Sequence, residues 1–128
     1  MRALPPYADL LGLSIAELRD GMPLLTMPFG EAVLGRPGFV HGGAIAGLLE
    51  MAAFAALHAS LADEADVTVK PVNVSVDYLR GGREKITYAL GHVSRLGRRI
   101  ANVDVSAWQD DPGAPIATAR MTMLLRRG

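Results

Sequence analysis

Cysteine is absent from the 128 residues, which excludes a disulfide framework, thiolate catalysis and thiolate metal ligation. Net charge is missing as well. Thirteen Lys and Arg balance thirteen Asp and Glu, so no global field draws the chain toward nucleic acid or an anionic membrane. There is no Gly-x-Ser-x-Gly elbow, and hence no support for a serine hydrolase. Three histidines, His41, His58 and His92, are separated and lack a neighbouring acid motif, which argues against a metal site. No low-complexity tract, internal repeat or linker divides the sequence. The first nine residues, Met1 to Asp9, place prolines and an acid where an export signal needs an unbroken apolar run. The most apolar region, Gly43 to Leu57, falls short of the roughly 18 residues that suggest a membrane span, and Glu50 interrupts it. These absences predict a soluble cytoplasmic protein with no metal or cofactor.

What is present fits one domain over residues 1–128. Half of the residues are apolar, enough for a sizeable core, although domains of this size often gain stability by association. After the proline pair, Tyr7 to Leu11 predicts one or two helical turns ending near Gly12. Leu13 to Arg19 and Met22 to Phe29 read as strands around Asp20-Gly21, a hairpin dipeptide. A glycine- and proline-rich loop, Gly30 to Val40, leads into a helix from about Gly43 to Ser60. Beyond it the period changes to two. Val72, Val74, Val76 and Tyr78 alternate with polar residues, as do Ala101, Val103, Val105 and Ala107, and then Ala117, Ala119, Met121, Met123 and Leu125. Gly81-Gly82, Gly97 and Asp110 to Gly113 punctuate these strands as turns. The order is β-β-α-β-β-β-β, with short links that favour antiparallel neighbours. One long apolar helix and about six such strands predict an α+β hotdog fold, in which the sheet curls around the helix.

Between Gly43 and Leu57 the sole ionisable side chain is Glu50. Ile45, Leu48, Leu49, Ala52, Phe54, Ala56 and Leu57 cover every face, which predicts a helix enclosed nearly all round. Burying even a neutral polar group without a partner costs roughly 2–7 kcal/mol. A cationic partner, a water-filled cleft or a catalytic role must therefore offset Glu50. Gly42 and Gly43 open the helix, where first-turn amides lack intrahelical acceptors and the macrodipole adds partial positive charge. Glycines there let a ligand oxygen approach closely, as an oxyanion hole requires; the pair also suits a tight loop-to-helix turn. Gly42 and Glu50 are eight residues apart, roughly 12 Å along a helix. They cannot both reach one reacting carbon within one chain. Two helices running antiparallel would bring Gly42 of one subunit to Glu50 of the other, so an enzyme built this way would be at least a two-fold dimer with two interfacial sites.

The segment Phe39-Val40-His41-Gly42-Gly43-Ala44-Ile45-Ala46-Gly47-Leu48-Leu49-Glu50 resembles the helix start of PaaI-like hotdog thioesterases, of the 4-hydroxybenzoyl-CoA thioesterase superfamily. Val76-Asp77-Tyr78-Leu79-Arg80 resembles the family's central strand, and Gly97-Arg98-Arg99 its strand turn. The similarity runs from about Gly30 to Leu125. It implies an acyl-CoA thioesterase without a cofactor, acting as a homodimer, with further pairing into a homotetramer left open. By position it implies that Gly42 supplies the oxyanion amide and that Glu50 acts as general base or nucleophile. His41 and Gly43 then take binding or structural roles. Two positions depart from the family pattern. Gly35 stands where Asn or Gln is frequent, six residues before the histidine, and Pro71 stands where Ser or Thr is frequent, with Thr68 and Asn73 nearby.

Arg80, Arg83, Lys85, Arg95, Arg98 and Arg99 face one acid, Glu84, over residues 80–99. That excess suits CoA phosphates and equally a charged strand edge that discourages aggregation. Arg98, Arg99 and Arg80 are the first candidates for the phosphates, because the resemblance covers them. His58 is placed to cap the helix C-terminus. Tyr78 and Trp108 read as packing residues. Two other functions stay open: a non-catalytic acyl-CoA-binding protein, and a hydroxyacyl thioester dehydratase, which would need a histidine facing the acid.

Overall fold

The computed structural model describes residues 4–64 and 66–127. Met1 to Ala3, the start of the stretch weighed as an export signal, lie outside the described residues, as do Ala65 and Gly128. A short helix α1 (Pro6–Leu10) precedes β1 (Ser14–Arg19) and β2 (Met22–Met27). A 3-10 turn (Glu31–Val33) leads to the long helix α2 (Gly42–Ser60). Four strands follow: β3 (Val67–Tyr78), β4 (Thr87–Leu96), β5 (Ile100–Trp108) and β6 (Ala117–Arg127). Between β1 and β2 the expected tight turn forms, with Asp20 at φ 51° and Gly21 at φ 81°. These left-handed values are what a two-residue hairpin loop demands.

The six strands form one antiparallel sheet in the order β1-β2-β4-β5-β6-β3, and it curls over α2 as a hotdog fold. Ala101, Val103, Val105 and Ala107 of β5 and Ala117, Ala119, Met121, Met123 and Leu125 of β6 are buried, as their alternation requires. Close approach of helix to sheet depends on small residues. A Cβ on Gly91 would lie 2.8 Å from Ala56 Cβ and 2.9 Å from the Ala52 carbonyl oxygen. Any side chain there would push α2 away from β4.

Three expectations are corrected. The link between β3 and β4 does not make them neighbours, because β3 pairs with β6 at the sheet edge. The eight residues 79–86 reach about 26 Å when extended, enough to cross the intervening strands. The helix begins at Gly42, one residue early, since His41 rather than Gly42 is its N-cap. Nor is α2 enclosed all round. Ala46, Glu50, Phe54 and His58, four residues apart in turn, form a stripe that is only half-buried. One curled sheet wraps most of a helix but not all of it. At 19 residues α2 is long and apolar enough to cross a membrane, yet it is mostly buried as the core helix.

Candidate active site

At the start of α2 the chain is fixed by a set of backbone hydrogen bonds and one side-chain cap. The His41 amide donates to the Val33 carbonyl (2.8 Å), and the Val40 amide to the Gly82 carbonyl (2.9 Å). His41 Nδ1 accepts from the Gly43 amide at 2.8 Å, while its carbonyl accepts from Ala44 and Ile45. An imidazole accepting at Nδ1 carries its proton on Nε2. Gly43 makes room for this cap, because a Cβ there would sit 2.9 Å from His41 Nδ1. The two glycines therefore have separate duties. The Gly43 amide is engaged by His41, whereas the Gly42 amide has no acceptor among the described residues. An unengaged first-turn amide, at the positive end of the helix dipole, is what a developing oxyanion needs.

Tyr78, at the end of β3, covers this amide's surroundings. Its hydroxyl donates to the Gly42 carbonyl at 2.9 Å, and its ring lies in van der Waals range of any Cβ added at Gly42. The packing role expected for Tyr78 thus extends to holding the helix start. A groove of about 390 Å³ opens here, lined by Arg36, His41, Gly42, Ile45, Tyr78 and Arg80 among others. Phe39 braces its wall. The Arg36 guanidinium lies 4.0 Å and that of Arg83 4.3 Å from the Phe39 ring centroid, and the ring edge rests on Gly81.

Glu50 lies two turns along α2 on the half-buried stripe, and it has no hydrogen-bond or ion-pair partner among the described residues. Its cost of burial is thus lower than full enclosure would impose, since the uncovered side of the helix leaves it partial access to water. The carboxylate and the free amide remain separated by roughly 12 Å of helix.

The arginine candidates fall into two groups that one chain keeps apart. Arg80 lines the Gly42 groove. Arg98 and Arg99 instead line a recess of about 540 Å³ with Arg126, Arg127 and Leu124. The Leu125 amide donates to the Arg99 carbonyl, whereas Tyr78 pairs with Ala117. Eight residues of β6 separate these points, roughly 26 Å. Arg127 is held in the recess by Glu64, at 2.6 Å, and by the carbonyl of Arg98. The Arg127 hydrogen bond holds the Glu64 carboxyl below its ordinary value, and the pairing raises Arg127 in turn. A larger depression, about 860 Å³, lies on the outer face of the sheet around His92, Asp104 and Arg120. It includes none of the anticipated site residues.

Both departures from the family pattern have a structural setting. Gly35 faces the backbone of His41, and a Cβ there would sit 3.0 Å from His41 Cα and 3.1 Å from its nitrogen. No Asn or Gln fits without moving the loop. Pro71 is exposed on β3 beside a register shift, an edge position that tolerates a missing donor. It stands seven residues from Tyr78, roughly 23 Å away. One residue the sequence reading passed over is Gln109, the only glutamine in the chain: just after β5, it hydrogen-bonds the backbone of Arg83 and Lys85, in the loop whose Gly81 and Gly82 line the groove.

A sheet curled over one helix, with an unengaged amide at the helix start and a carboxylate two turns on, defines a hotdog protein of the thioesterase type. The Thioesterase superfamily model matches residues 37–116, and the chain belongs to that family. It is 29% identical over 101 residues to a protein of Halobacterium salinarum named as an esterase; the match spans 77% of this chain and 66% of that protein. A crystal structure of a Chromobacterium violaceum protein shares 37% identity and a TM-score of 0.77, covering 94% of this chain and 83% of the other. A mutant thioesterase of Pseudomonas aeruginosa shares 27% identity and a TM-score of 0.81, covering 95% and 86%. These likenesses support hydrolysis of a thioester as the general chemistry.

Proposed function

We propose that the chain is an acyl-CoA thioesterase whose sites are shared across a two-fold dimer. The observation that carries this reading is the division of labour at the helix start, where His41 takes the Gly43 amide and leaves that of Gly42 unengaged. The thioester carbonyl oxygen accepts from Gly42. Glu50 of the second subunit removes a proton from water, and the resulting hydroxide attacks the carbonyl carbon. The tetrahedral oxyanion rests on the Gly42 amide. Its collapse breaks the C–S bond, and the CoA thiolate leaves to take up a proton. Direct attack by Glu50 through a mixed anhydride uses the same geometry.

The exposed edge supports the dimer. All of β3 except Val67, Val69 and Val76 is exposed, including Val72 at 60% and Tyr78 at 55%. A 12-residue edge strand leaves a row of unpaired backbone groups that another strand can pair with. An antiparallel pairing of two β3 strands sets the Val67 end of one beside the Tyr78 end of the other. It therefore brings the second subunit's Arg98 and Arg99 toward the Gly42 groove, where they join Arg80 in holding the CoA phosphates. Binding without turnover is the second reading, favoured by the missing polar residues at Gly35 and Pro71.

A panel of acyl-CoAs tests the two, with thiol release and ligand binding measured for wild type and Glu50→Gln. The expected outcome is turnover by wild type and a loss of at least about 100-fold in the variant, with binding retained. Tight binding by wild type with no thiol released would sink the hydrolase reading in favour of the binder.

A further inference from the structure

We infer that Gln109 is a positioning residue for the Gly42 amide, acting through two stacked loops; this rests on the hydrolase reading above. The half-buried Gln109 amide closes a network on the loop after β3. Its Oε1 accepts from the Arg83 amide at 2.9 Å. Its Nε2 donates to the carbonyls of Arg83 (3.0 Å) and Lys85 (3.2 Å) and to Thr87 Oγ1 (3.1 Å). Two N–H groups reach three acceptors, so one is shared. The orientation is fixed, because a flipped amide would set its NH2 against the Arg83 amide hydrogen. Thr87 is fully buried, which anchors this end of the network in the core. Lys85 adds a bond to Asp110 beside Gln109, at 2.7 Å.

From this staple the contacts run inward without a gap. The Gly82 carbonyl receives the Val40 amide. Phe39 lies against Gly81 and between the guanidiniums of Arg83 and Arg36. Val40 is followed at once by His41 and Gly42. The loop 80–86 has no helix or strand of its own. Backbone bonds from the Arg80 amide to the Ile116 carbonyl and from the Val40 amide to the Gly82 carbonyl hold its first half, and Gln109 makes the side-chain hydrogen bonds that hold the backbone of its second half. Hydrophobic packing cannot replace it, because the groups held are the amide of Arg83 and the carbonyls of Arg83 and Lys85. Loss of the staple leaves the fold's core intact and lets the oxyanion amide drift, and a misplacement of about 1 Å costs on the order of 100-fold in rate.

The test compares Gln109→Met, which keeps length and loses every hydrogen bond, with Gln109→Glu. The latter keeps an acceptor for Arg83 but sets a carboxylate oxygen against two carbonyls. Kinetics on an acyl-CoA turned over by wild type are combined with backbone hydrogen exchange. Both variants should lose about 10- to 100-fold in kcat with KM within about threefold. Exchange should accelerate at 80–86 and 35–41, while β5 and β6 keep wild-type protection. A folded Gln109→Met protein with wild-type kcat overturns the inference. So does accelerated exchange throughout the sheet, which a general structural role would produce; should Met destabilise the whole fold, Gln109→Glu decides by the same two readouts. If wild type itself releases no thiol, the hydrolase reading fails separately. Exchange at Val40 and His41 then decides alone, with acceleration upholding the coupling and unchanged rates refuting it.

Discussion

At the scale of single residues, the helix start shows how one backbone position governs another. His41 reaches Gly43 because Gly43 has no Cβ in the way, and that cap frees Gly42 to face the groove. Gly35 belongs to the same arrangement. Its lack of a side chain lets the loop fold onto the backbone of His41, so the polar group frequent in the family would press that backbone outward by a few tenths of an ångström. Restoring that group should therefore do harm. Gly35→Gln is expected to lower kcat about tenfold or more through displacement of His41, measured on the best acyl-CoA substrate. An increase in kcat would show that the missing amide, rather than the close approach, limits this site. The His-Gly-Gly triplet and Glu50 were legible in the sequence because each is an anomaly in its setting. Gln109 was not, since its acceptors belong to residues 83–87, which only the folded chain brings beside it.

At the scale of elements, strand β3 departs most from what its pattern suggested. Its alternation predicts one buried face, yet it borders a single neighbour and exposes nearly every residue. Alternation reports that a face will be covered, not whether its own chain covers it. The far end of this strand and of β6 is closed by Glu64 and Arg127, whose pairing gives a definite pH dependence. The Glu64 carboxyl lies below its ordinary 4.5 in the folded chain, so folding favours its charged form. The stabilisation is fully present above that value and is lost as pH falls through the lowered one. Because the pair is open to solvent, the effect is small. Urea midpoints of wild type and Glu64→Gln should differ modestly at pH 7, and the gap should narrow as pH falls below 4.5. A gap that stays constant over this range would show the pair to be thermodynamically silent.

At the scale of the whole molecule, the candidate site residues lie at opposite ends of one subunit. Gly42 and Arg80 sit at the β3 end near Tyr78, with Arg98 and Arg99 in a separate recess roughly 26 Å away along β6. On the proposed reading a complete site needs two copies. Gly42→Pro removes the amide hydrogen at a first-turn position where proline is tolerated, and Glu50→Ala removes the carboxylate. Neither homodimer should turn over substrate, while an equal mixture should recover about a quarter of wild-type activity. Half the dimers are then mixed, and each mixed dimer has one intact site. Heterodimers verified by mass spectrometry, yet inactive, would place both groups in one subunit's site and refute the shared arrangement.

By itself the sequence determined the fold class, because helical and strand periods and their turn residues are local properties. It also marked the acid and the glycines, since a carboxylate in an apolar helix is costly wherever that helix lies. The fixed rise of the helix also set the roughly 12 Å between Gly42 and Glu50, from which the proposed two-subunit site follows. The tertiary structure decided the rest. It chose β6 as the neighbour of β3, left the Glu50 stripe half-covered, parted Arg80 from Arg98 and Arg99, and assigned the Gly43 amide to His41. Those outcomes depend on which distant surfaces meet, and strand pairing and close approach are set by the whole packed core rather than by any one segment.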